Sequence, residues 1–113
     1  MEKHFAKLKE YLGMDTEISY EEFEGYFQDV MKLFNENYQD FNREESIQGR
    51  FMMSILVSNA DERARKDKKL AKKYRKIREK SSLWAEALTL KLMKEGMSKQ
   101  EIAKAEQELS DSI

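Results

Sequence analysis

This chain contains no proline and no cysteine, only four glycines and a single histidine. Without proline, and with its glycines isolated at 13, 25, 49 and 96, long helices meet few breakers and the turn chemistry of β-hairpins is missing. The same isolation leaves no Gly-rich phosphate loop. Absence of cysteine removes disulfides and thiolate metal sites, and fits a cytoplasmic location. His4 has no cysteine beside it and no Ser–Asp pair in a usable context. A triad, a zinc site or a histidine proton relay is therefore not expected. The longest apolar run, Phe51 to Val57, contains Ser54 and is far too short to span a bilayer. The opening MEKHFAKLKEYL alternates charge and lacks the apolar region of a signal peptide. No catalytic residue, cofactor site or metal ligand is assigned, and no enzyme is expected.

What is present is charge and helix-forming sequence. The 113 residues are 40% hydrophobic and 38% charged, which describes a highly charged folded protein better than a disordered one. The length predicts one helical domain over 1–113. The expected fold class is all-α: a small bundle of four to five helices, one of them long and basic.

Helical spacing marks the segments. Residues 2–12 carry Phe5, Leu8 and Leu12 on one side, and Gly13 stops them. A second segment, about 20–41, opens on Ser19 with Glu22 as a capping box and carries Phe23, Phe27, Val30, Phe34 and Phe41. A third starts at Asn42 with Glu45, buries Ile47, Phe51, Ile55 and Leu56, and fades near Ser58-Asn59. From there one helix is expected to run to Glu95 along Leu70, Tyr74, Ile77, Ser81, Trp84, Leu88 and Leu92. Unbroken over 61–95, it would span on the order of 50 Å and overhang the body at its N-terminal end. Ser81-Ser82 is the alternative break. Ser98 and Glu101 cap a last helix over 99–109. The clustered methionines, among them Met31, Met52, Met53, Met93 and Met97, read as core filling, and so does Trp84.

One feature points outward. Residues 62–80, ERARKDKKLAKKYRKIREK, hold eleven Lys or Arg against three acids, a net +8. The whole chain sums to −1, so the remainder carries −9. Cations so concentrated recognise phosphate or carboxylate, and the arginines can do so with two parallel bonds. The candidate partner-binding residues are Arg63, Arg65, Lys66, Lys68, Lys69, Lys72, Lys73, Arg75, Lys76 and Arg78. Those before Leu70 lack an apolar anchor, which makes 62–69 the favoured contact. The competing reading is that these cations pair with the acidic half of the same chain, since residues 1–48 hold twelve acids and five bases.

Two partial motifs do not extend this. LWAEALTLKLMKEGMSKQEIAKAEQEL, residues 83–109, resembles the first two helices of a helix-turn-helix. No recognition helix follows, however, and 99–109 presents Glu101, Glu106 and Glu108 against Lys99 and Lys104, so an ordinary helical hairpin is expected. Residues 15–23 resemble the back half of an EF-hand loop, but with Glu22 at its last position Tyr11 and Gly13 stand where oxygen ligands are required. Glu21, Glu22, Glu24 and Asp29 read as a solvated face favoured by a helix N-terminus.

These features predict a small non-enzymatic regulator or inhibitor that docks through the basic helix on nucleic acid or a nucleic-acid-processing complex. Size and the lack of catalytic motifs would suit a phage- or plasmid-encoded inhibitor of the anti-CRISPR kind. An acidic protein surface is the other partner such a helix fits. The alternative is a helical adaptor or homo-oligomer that contacts no nucleic acid.

Overall fold

A computed structural model describes all residues from Met1 to Ile113. It contains helices and no strands: α1 (Glu2–Leu12), α2 (Tyr20–Asn37), a 3₁₀ turn (Tyr38–Asp40), α3 (Arg43–Lys66), α4 (Ala71–Lys94) and α5 (Lys99–Asp111). The all-α bundle matches the sequence expectation.

The caps explain where most helices begin. The Asn42 side chain accepts the Glu45 N–H while the Glu45 carboxylate accepts the Asn42 N–H, and Ser98 with Glu101 repeats the arrangement. At Ser19 only half of the expected box forms: the hydroxyl accepts the Glu22 N–H at 3.1 Å with no return bond. α4 ends in a Schellman motif, in which Met97 N–H reaches Leu92 O and Gly96 N–H reaches Met93 O. Gly96 has φ +100, which glycine adopts without a Cβ penalty, and Met97 then packs on Leu92 and Ile102.

The core is built on α2 as expected, from Phe23, Phe27, Val30 and Phe34. Met52, Met53 and Leu56 of α3, Leu88 of α4, and Phe5 and Leu8 of α1 close around them. Met31, Met52, Met53 and Met97 are buried, and Trp84 stands edge-on to Phe34 and Tyr38 at 5.3 and 5.2 Å. α2 stops earlier than its stripe suggests, because Phe41 enters the core from extended backbone after the 3₁₀ turn. α1 is tied to α2 by the Tyr26 hydroxyl, which donates to His4 O at 2.9 Å.

The continuous helix over 61–95 does not exist. α3 runs through Ser58-Asn59, where the Asn59 amide donates to Ile55 O and Ala60 and Ala64 lie buried. The chain then breaks at 67–70 and returns antiparallel as α4. The break rests on Asp67, whose Oδ1 accepts the N–H groups of Lys69 and Leu70 at 3.0 and 3.2 Å. Ser81-Ser82 is not a break, since Ser81 is fully buried within α4. Neither the 50 Å helix nor its overhang exists: α3 and α4 hold 24 residues each, and the molecule measures 43 × 25 × 24 Å.

Two outcomes are expected. Asp67→Ala removes the turn bonds and destabilises by about 1 kcal/mol, a thermal midpoint lower by roughly 4–8 °C in a calorimetric scan. Burial pushes the Tyr26 phenol upward in pKa, with the charge of Tyr11 adding to it. The folded state therefore holds this proton more tightly than the unfolded chain. The resulting stability is complete below the free phenol value of about 10 and falls as pH rises past it. Tyr26→Phe should lower the midpoint at neutral pH, by losing the bond to His4, yet show a shallower alkaline decline.

Candidate polyanion-binding corner

The break at Asp67 divides the basic block between two helices and the turn joining them, so the predicted cations meet different fates. Arg63 is structural. Its guanidinium lies 4.5 Å from the Phe23 ring centre and 5.8 Å from that of Tyr74, and Nη1 donates to the Tyr74 hydroxyl at 3.3 Å. Arg65 pairs with Asp61 one turn back. Lys66 pairs with Glu62 at 2.9 Å and lies 3.8 Å from Glu17. The hydrogen bond and charge of Lys66 hold the Glu62 carboxyl below its usual value, and Glu62, then Glu17, raise the Lys66 ammonium. Arg78 is half-buried, with its Nε shielded from solvent and without a hydrogen-bond partner.

The remaining candidates stay free. Lys68 and Lys69 on the turn, with Lys72, Lys73, Arg75 and Lys76 on the first two turns of α4, are exposed and make no ion pair. Lys80, left out of the sequence-based set, belongs with them as a seventh. Lys73 rests its ammonium 5.5 Å from the Tyr20 ring centre. Asp67 is turned into the backbone of the turn, and Glu79 has no ion pair. Of the acidic first half, Glu17 alone reaches the block, through Lys66. Pairing with the chain's own acids therefore accounts for little of the charge.

The helix start compounds the field. Leu70 occupies the N-cap of α4 without a side-chain bond, and no acid lies in the first turn. The positive end of the helix dipole thus points where the lysines cluster, offset in part by the Asp67 carboxylate that accepts the Leu70 N–H. Cations at this position oppose helix stability, and the sequence tolerates them in an otherwise well-capped fold. No group of three His, Asp or Glu side chains in the protein is placed to hold a metal ion, and no helix is long and apolar enough to cross a membrane.

No protein-family model matches the chain, no curated protein is significantly similar to it, and no solved structure resembles it significantly.

The division between structural and free cations is measurable by denaturation. Arg63→Ala should cost about 1–2 kcal/mol through the lost stacking and packing. Lys72→Ala and Lys76→Ala should each stay within about 0.5 kcal/mol of the parent.

Proposed function

We propose that this chain is a non-enzymatic binding protein, a small regulator or inhibitor, that docks by its α3–α4 corner on the phosphate backbone of a nucleic acid, free or within a nucleic-acid-processing complex. One observation carries the reading: seven exposed cations without ion pairs gather around the turn and the first turns of α4. Such an array neutralises phosphates without reading bases, so affinity comes from counterion release and tolerates sequence. The contact centres on Lys68–Lys80 rather than on 62–69, because Arg63 is stacked within the fold and the exposed Arg65 and Lys66 are already paired with Asp61 and Glu62.

Fluorescence anisotropy with a labelled random duplex and a single strand tests this. If about five cations meet phosphates, duplex affinity falls on the order of 500-fold between about 50 and 200 mM salt. Reversing Lys72, Lys73, Arg75 and Lys76 to Glu should abolish binding, whereas Arg65→Ala should leave the salt slope unchanged. Absence of binding to either probe at low salt would remove nucleic acid as the partner and leave an acidic protein surface.

A further inference from the structure

We infer that a second copy of this chain docks on the outward face of α4, antiparallel, with Leu83 of one copy against Leu90 of the other. The two leucines are 65% and 61% exposed, the most exposed large hydrophobic residues in the protein. They stand seven residues apart with Ala87 between them, so all three share one side of the helix. That side is opposite the stripe of Tyr74, Ile77, Leu88 and Leu92 that faces the core. In a monomer the ridge has no work to do.

The surroundings of the ridge favour a helix as its cover. On one flank a groove runs between α4 and α5, along Ala85, Thr89, Met93 and Ile102. On the other flank a groove separates α4 from the 3₁₀ turn, along Tyr38, Gln39 and Lys91. A ridge with a groove on either side is what helix–helix packing interlocks. Two identical copies can satisfy each other in this way across a two-fold axis.

Charge selects both the occupant and its direction. A parallel pair would set Lys76 and Lys80 against their own copies, at a repulsive cost. The antiparallel pair avoids this and leaves one like-charge approach, between the two exposed Glu86 side chains beside the axis. When Leu83 meets the partner's Leu90, Glu79 comes opposite the partner's Lys94, and the same contact recurs across the axis. Glu79 is the only carboxylate between Asp67 and Glu86. Neither Glu79 nor Lys94 has an ion pair within its own chain. This arrangement sends the two cationic corners to opposite ends, with the Lys72 positions about 44 Å apart at 1.5 Å of rise per residue. The pairing itself does not depend on what those corners bind.

Mass by sedimentation equilibrium, over a roughly hundredfold range of concentration, should rise from the chain mass of 13.5 kDa toward twice that value. Leu83→Glu combined with Leu90→Glu should hold the mass at one chain while helicity by circular dichroism stays that of the parent. The double variant should also keep the parent's salt-dependent affinity for duplex, which separates loss of pairing from loss of the cationic corner. Register is tested by crosslinking, because the chain has no cysteine of its own. An equimolar mixture of Leu83→Cys and Leu90→Cys chains should oxidise mainly to the mixed disulfide, several-fold faster than either variant forms a disulfide with itself. Lys94→Glu should weaken association, and adding Glu79→Lys should restore it. A mass fixed at one chain throughout, an association indifferent to the two leucines, or self-crosslinks that outpace the mixed one would overturn the proposal.

Discussion

Close antiparallel packing of α3 on α4 is the constraint from which the rest of the molecule follows. Small residues make the approach possible. Ala60, Ala64, Ala71 and Ser81 are buried on the two helices. Gly49 sits where an added Cβ would come within 3.1 Å of Phe34 Cζ and 3.2 Å of Leu88 Cδ1. A bulkier set would lift the helices apart and open the layer that Phe34, Met52, Met53 and Leu88 fill, at the usual cost of overpacking. The seam also fixes the outer frame. Arg43 reaches back to cap α4 through Glu95 O, and Lys91 donates to Phe41 O, so the ends of both helices are held by side chains from across the chain.

Because the two helices must return on each other, the basic block must turn, and turning it sorts its charges. Residues on the α3 side come within reach of α2 and of the loop before it, where Phe23 takes Arg63 and Glu17 approaches Lys66. Those on the turn and on the outer side of α4 form no ion pair with any acid, although Lys73 lies over Tyr20 at the start of α2. The cationic corner is thus a product of topology acting on composition.

Much of this was readable in the residue order, and the exceptions share a cause. The caps at Asn42 and Ser98 were legible because both partners lie within four residues, so the bonds form before any tertiary structure is needed. The face of α4 was legible from Leu70, Tyr74 and Ile77 for the same reason: it is a periodic property of one segment. The break at 67–70 was not. Lys68 and Lys69 are good helix formers, and Asp67 becomes a turn residue only once folding back is rewarded elsewhere, by burial of residues such as Ala60 and Ala64. Alanines do not stand out as a hydrophobic stripe, so the continuation of α3 past Asn59 left little trace. The cations were visible as composition. The pairs of Arg65 with Asp61 and Lys66 with Glu62 are local, but Arg63 on Phe23 and Lys66 near Glu17 involve residues some 40 to 50 positions away, and no local pattern records those.

The outer side of α4 then divides into two halves of opposite character, and neither serves the fold of one chain. Lysines gather at a helix N-terminus, where the dipole disfavours them, and two leucines stand in water on the same helix a few turns later. A sequence shaped by stability alone would place acids at the first position and polar residues at the second. The remaining helices largely obey such rules: α2 and α5 begin with capping serines and early acids, and α3 carries Arg63, Arg65 and Lys66 in its last turn. Such departures gather on the outer side of α4 and the turn before it, the side proposed to bind, while Leu12, Met14 and Ile113 are lesser exposures elsewhere. The same face separates two kinds of contact along its length, ionic near the turn and apolar toward α5. In the proposed contacts salt would act strongly on the first through counterion release and on the second only through its Glu79–Lys94 pairs, so the two would differ in salt dependence.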